Sequence, residues 1–211
     1  MLSRVGRRAK HLGLAPPPVT SYDAGGQSKS VTVRRDSMPK TAANKFLTLE
    51  DPVLIAQCEV DRYRSRGPGG QKRNKTSSAV RLRHRPTGLS VTATEERSQH
   101  VNKGRAVRRL RRAIALNVRT DIDLELYRPS ELLSSCIVAK GQLQVGRRDG
   151  RYHPAVCEVL DLLEACKARV SETARYVGVS TANLTKFIRK DPKLWERVNQ
   201  MRAQAGVKPL R

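Results

Sequence analysis

The sequence predicts an α+β protein: a small domain with a mixed or antiparallel sheet packed on a long basic helix, followed by an all-α module of helix-turn-helix type. Three observations carry that reading. Residues 79–84 and 89–94 each alternate polar and apolar side chains on either side of Arg85-Pro86-Thr87-Gly88, a turn sequence, so the two runs pair as a hairpin. Residues 97–118 place Val101, Val107, Leu110, Ile114 and Val118 at helical spacing, with Arg105, Arg108, Arg109, Arg111 and Arg112 on the remaining surface. From Pro154 onward the pattern becomes a succession of short helices, each with its own start signal.

Residues 1–46 are rich in Pro, Ser, Gly and basic side chains, and Pro16-Pro17-Pro18 blocks a long helix, so this stretch reads as a disordered basic arm. Arg4, Arg7, Arg8 and Lys10 lie among Leu2, Val5, Leu12 and Leu14 with no acid before Asp23. Two readings fit that pattern: a tail that contacts RNA, which is preferred, or a mitochondrial transit peptide. Residues 47–119 form the first domain. Asp51-Pro52 supplies an N-cap and a proline at the first helical position, opening a short helix to about Ala56. Residues 58–64 then alternate as a strand that runs into Arg66-Gly67-Pro68-Gly69-Gly70-Gln71-Lys72-Arg73-Asn74-Lys75-Thr76. Residues 120–151, punctuated by Pro129, Gly141, Gly146 and Gly150, read as a linker with short ordered pieces.

Residues 152–211 are the helical module. Val156, Val159, Leu160, Leu162 and Leu163 share the broad apolar face of a first helix. Ser171 caps a second, Ser180 a third over 181–190, and Asp191-Pro192 opens a fourth that stops near Gly206. Ala174, Gly178, Leu184 and Phe187 fall at helix-turn-helix spacing, which turns Thr181, Asn183, Lys186, Arg189 and Lys190 outward.

Composition narrows the function. The chain of 211 residues holds 42 lysines and arginines against 19 aspartates and glutamates, a formal charge of +23. Such an excess repels itself in a compact fold and calls for a polyanion, nucleic acid first of all. No apolar run is long enough to span a membrane, and one Trp and two Phe are poor equipment for a membrane-surface helix. Cys58, Cys136, Cys157 and Cys166 form no Cys-x-x-Cys pair, and His153, Cys157 and Cys166 lack a second tight pair. Buried reduced thiols are expected, with no metal site and no cofactor.

The glycine loop carries the chemistry. Two adjacent glycines let the backbone take unusual torsions and approach another surface closely. Gln71 adds a neutral amide and a backbone N–H that do not titrate near neutral pH. Water attacking an ester needs a placed nucleophile and a donor for the developing charge, and these groups can supply the second without acting as acid or base. No Ser–His–Asp or Cys–His arrangement surrounds the loop, so covalent catalysis by the protein is not expected. His84 and His100 are the nearest bases, and both are read as structural. A second Gly-Gly-Gln, Gly25-Gly26-Gln27, has neither a strand before it nor a basic helix after it and is read as coincidence.

Residues 51–115 resemble the catalytic domain of class I peptide-chain release factors and related ribosome-rescue hydrolases. The matching text is Arg66 to Gln71, Asn74-Lys75-Thr76, Ala79-Val80-Arg81-Leu82, His84-Arg85-Pro86-Thr87-Gly88, Arg97-Ser98-Gln99-His100 and Asn102-Lys103. The resemblance implies that Gly69, Gly70 and Gln71 are catalytic: the loop enters the peptidyl-transferase centre and triggers hydrolysis of peptidyl-tRNA. It implies rRNA contacts for Arg66, Lys72, Arg73, Asn74 and Lys75, and the helix face of Arg105, Arg108, Arg109 and Arg112 is assigned to rRNA with them. Ser98, Gln99, His100 and Asn102 are expected to brace the fold ahead of touching RNA. The implied partners are large-subunit rRNA, peptidyl-tRNA and a glutamine methyltransferase acting on Gln71, with the protein a monomer in the cytoplasm or the mitochondrion.

No codon-reading loop is recognisable, so the closer kin are the short codon-independent rescue hydrolases. Those end in a basic tail, whereas the helical ending here resembles the bacterial release-factor-like subgroup. Lys186, Arg189 and Lys190 are its expected docking residues. Two alternatives stand beside this reading: a non-catalytic ribosome- or RNA-binding factor, and a DNA-binding helix-turn-helix regulator.

Overall fold

The computed structural model describes residues 43–63 and 78–211, together with two short antiparallel strands, β1 (Ser21–Tyr22) and β2 (Ser28–Lys29). These strands bracket Gly25-Gly26-Gln27, so that triplet does have a strand before it, contrary to the expectation. Among the described residues, packing already includes Ala43, four residues before the expected domain boundary at 47. Ala43 and two residues of α1 (Asn44–Leu47), Phe46 and Leu47, are buried in the core.

Helix α2 (Asp51–Ala56) occupies its expected span, but its N-cap is Glu50, which makes no side-chain capping bond. Asp51 sits in the first turn instead, where its Oδ1 accepts from Arg111 Nη2 at 2.7 Å. The three strands β3 (Cys58–Tyr63), β4 (Ala79–His84) and β5 (Ser90–Ala93) form one antiparallel sheet in that order. Register runs from Cys58↔His84 to Tyr63↔Ala79 in the first pair and from Val80↔Ala93 to Arg83↔Ser90 in the second. Gly88, at φ +67°, takes the left-handed position in the β4–β5 turn, where a side chain would be strained. Along β4, Val80, Leu82 and His84 are buried while Arg81 and Arg83 are exposed opposite Asp61 and Glu59. The exposed side of this pair is therefore a ladder of opposite charges.

Helix α3 (Gln99–Asn117) lies across β4 and β5 and also packs on α5 (Tyr152–Ala165). Serving the sheet, α5 and also α1 gives it a wide buried face of Asn102, Ala106, Val107, Leu110, Ala113, Ile114 and Ala115. Val101, expected within the apolar stripe, is 42% exposed, and Asn102 takes the inward position beside it.

Residues 119–151 contain α4 (Glu131–Ser134) and the two-residue strands β6 (Ile137–Val138) and β7 (Gln142–Leu143). Two buried acids of α5 hold the front of this stretch. Glu158 accepts from Tyr127 Oη at 2.7 Å, Ser130 N at 2.9 Å and Ser130 Oγ at 2.6 Å. Asp161 accepts from Arg119 Nη1 at 2.7 Å and Thr120 N at 3.2 Å. Leu133, Cys136 and Leu143 are buried behind these ties.

Helix α5 is buried almost all round, so it serves as a central core element rather than as a helix with one wet face. Helices α6 (Val170–Val177), α7 (Thr181–Arg189) and α8 (Pro192–Gln204) complete the chain. Ser180 caps α7 by accepting from Asn183 N, and Asp191 caps α8 by accepting from Lys193 N. Ser171 does not cap α6: the N-cap is Arg169, without a side-chain bond, and Ser171 lies in the first turn. Gly178 ends α6 at φ +82° and Gly206 follows α8 at φ +70°. All four cysteines are free and buried, and burial raises the Cys58 and Cys157 thiols to about 11 and about 12.

Candidate functional site

The triplet expected to be catalytic, Gly69, Gly70 and Gln71, and with it Arg66, Lys72, Arg73, Asn74 and Lys75, falls outside the described residues. What the structure supplies is the frame on which that segment is mounted. Tyr63 pairs with Ala79, so β3 ends and β4 begins side by side at one edge of the register.

The C-terminal end of the segment is anchored by Asn102, which is fully buried. Its Nδ2 donates to the Ser78 carbonyl at 2.7 Å and to the Glu96 carbonyl at 2.8 Å, while its Oδ1 accepts from Glu96 N at 3.0 Å. A single amide thus ties the residue before β4, the approach to α3 and the first turn of α3 together. Ser98, the N-cap of α3, completes the corner by accepting from Val101 N at 3.4 Å. The bracing role expected for this motif holds for Ser98 and Asn102, whereas His100 is exposed.

His84 is a structural residue of the same kind. It is fully buried, with Nδ1 at 2.8 Å from Thr87 Oγ1, Nε2 at 3.2 Å from Gln57 Oε1, and its ring edge-on to Phe46. Burial lowers its pKa to about 4, so the folded protein holds it neutral at pH 7. The unfolded chain, with an ordinary histidine, takes up a proton first as the pH falls. His84 therefore contributes stability that is present above about pH 6.5 and is lost as the pH drops toward 4. Between pH 7 and 5 that loss is on the order of 2 kcal/mol. In denaturant titrations at the two pH values, His84→Gln is expected to show a correspondingly smaller loss than the parent; equal losses would refute the assignment.

Most of the α3 arginines, whose face the sequence assigns to rRNA, have acidic partners supplied from outside the helix. Arg105 pairs with Glu96 at 2.6 Å, Arg109 with Glu95 and the Thr92 carbonyl, and Arg112 with Asp191. Arg111 donates to the Leu47 and Leu49 carbonyls at 2.7 and 2.6 Å as well as to Asp51. None of these acids lies on α3 itself, which is why spacing along the helix gave no sign of them. Arg108 is exposed and has no ion-pair partner among the described residues.

Asp191 is the meeting point of α3 with the helical module. It accepts from Arg112, from Tyr152 Oη at 3.0 Å and from Lys193 N at 2.9 Å. Burial opposes its ionisation, but Arg112, the Lys193 N–H and Tyr152 together hold the carboxyl below its usual range. Among the docking residues, Lys186 and Lys190 are exposed, while Arg189 stacks on Trp195 at 5.1 Å and donates to the Arg211 carbonyl. Asn183, expected to face outward, instead accepts from Leu143 N at 2.9 Å and holds β7 against α7.

Residues 53–132 match the RF-1 domain family. The chain carries a class I release-factor-like domain. Its relatives include peptide chain release factor 1 of Caldicellulosiruptor bescii, 40% identical over 94 residues, which are 44% of this chain and 24% of the relative. Peptide chain release factor 2 of Paramagnetospirillum magneticum is 49% identical over 59 residues, 28% of this chain and 16% of the relative. Peptide chain release factor 1 of Rubrobacter xylanophilus is 60% identical over 53 residues, 25% of this chain and 15% of the relative. The chain thus spans about a quarter or less of the curated relatives it matches. The release-factor-like match covers the whole β3–β4–β5 sheet, the glycine loop and α3, and continues through residues 119–132.

Proposed function

We propose that this protein hydrolyses the ester of peptidyl-tRNA on the ribosome without reading a codon, releasing nascent peptide from stalled ribosomes or large subunits. The observation that carries the reading is the release-factor-like match across residues 53–132, which contains Gly69-Gly70-Gln71 within its basic surroundings. Water attacks the ester carbonyl, the bond to the tRNA 3′-oxygen breaks, and the proton passes to that oxygen. The Gln71 backbone N–H donates to the developing oxyanion or to the leaving 3′-oxygen, and its side-chain amide orients the water. Gly69 and Gly70 let the loop fold into the peptidyl-transferase centre. Arg66, Lys72, Arg73, Asn74 and Lys75, with Arg108 on α3, hold rRNA around it.

In this reading residues 47–119 are the catalytic domain, 120–151 join it to 152–211, and the terminal helices, of helix-turn-helix type, dock on the ribosome as part of a cytoplasmic monomer. Gln71 is the site at which a glutamine methyltransferase would act. The deciding experiment compares release of labelled peptide from ribosomes halted on a message with no stop codon and on a stop codon. Release from the first without any requirement for the second is expected; release on stop codons alone would overturn codon independence.

A further inference from the structure

The module that follows the release-factor-like match holds a second basic site unlike the first. The β6–β7 turn, the end of α6 and the start of α7 enclose an open groove of about 670 Å³. Lys140, Arg175 and Lys186 line it, one from each of the three surrounding elements, and none has an ion-pair partner among the described residues. No acid lines it. Glu172, one turn before Arg175, is taken by Arg169 at 2.9 Å. The contrast with α3 is sharp: there the fold brings carboxylates to most of the arginines, whereas here three cations converge with no internal counter-charge.

The groove is also bare and held in shape. Gly141 and Gly178, at φ +62° and +82°, stand in its walls, and a Cβ at either would meet nothing within 4 Å. Uncovered backbone on both sides lets a chain approach closely. The Asn183 side chain bonded to Leu143 N fixes one wall against the other, so little ordering is required when the groove fills.

We infer that this groove takes a stretch of RNA backbone, with Lys140, Arg175 and Lys186 each meeting a phosphate. Separated point cations on facing walls suit a repeating polyanion better than one small anion. The inference goes beyond peptide release and does not depend on it, because it can be read on RNA without ribosomes.

The test uses the full chain, a fluorescent single-stranded RNA oligonucleotide, and anisotropy titrations across a range of salt. The triple variant Lys140→Gln, Arg175→Gln, Lys186→Gln is compared with an equally discharged control, Arg128→Gln, Arg148→Gln, Lys208→Gln, which alters exposed cations outside the groove. The groove variant should lower the slope of log affinity against log salt by about 2, at roughly 0.7 per phosphate on a single strand. The control should leave the slope nearly unchanged. All three groove side chains are exposed and have no ion-pair partner among the described residues, so thermal melting should coincide with the parent; the single substitutions, each lowering the slope by a fraction of the total, guard against a folding artefact. Equal slopes for both triple variants would refute the groove.

Discussion

Replacing Gly70 with alanine in the full chain should cut peptide release by a factor on the order of 10²–10³, the cost of losing one aligned donor to a developing oxyanion. Gly70 precedes Gln71, so an added methyl at that point either blocks close approach or turns the Gln71 N–H away from the reacting oxygen. Nothing on the described surface depends on it. Co-sedimentation of the variant with ribosomes should therefore match the parent within about twofold, since the phosphate contacts that supply affinity are elsewhere. The discriminating pair of measurements is single-turnover release of labelled peptide and ribosome binding on the same preparation. Wild-type release by the variant would remove the catalytic assignment of the triplet.

The second large effect belongs to a residue that never meets the substrate. Asn102→Ala deletes the buried amide that joins Ser78, Glu96 and α3, and leaves two carbonyls and one N–H without their partner. Because the corner is partly reached by water, the expected loss of stability is about 2 kcal/mol rather than the full sum of three buried bonds. Release should fall further than that loss implies. Ser78 is where the glycine loop returns to β4, and a small displacement of a reacting group can cost roughly 10–100-fold in rate. Release measured well below the melting temperature, at saturating protein, isolates this term as a fall in kcat with little change in KM. Unchanged kcat with a lowered melting temperature would make Asn102 a purely structural residue.

The parts of the molecule legible in the sequence are those whose signal is local. The β4–β5 hairpin was announced by alternation on both sides of a proline–glycine turn, and α8 by Asp191-Pro192. The glycine segment was legible as a family motif because its residues are contiguous. What stayed hidden depends on contacts between distant segments. Asp51 looks like a cap until Arg111 reaches it from α3, and Asn183 looks like a surface residue until Leu143 claims its oxygen. The arginines of α3 look unpaired for the same reason: Glu95 and Glu96 lie just before the helix, and Asp191 lies in another part of the chain. Residues 119–130 carry no periodic pattern, yet two acids on α5 hold them down. Periodicity reports which face is apolar and is silent about which carboxylate a guanidinium will find.

Asn102 and Arg112 sit on one uninterrupted helix, the first clamped to the loop's return at Ser78 and the second to Asp191. Between them α3 is a rigid spacer of roughly 15 Å, at about 1.5 Å per residue. One residue added inside that interval would turn either clamp away from its partner by about 100°. The length of α3 is therefore a gauge block: wherever the terminal helices are seated, it sets the standoff from which the glycine tip must reach.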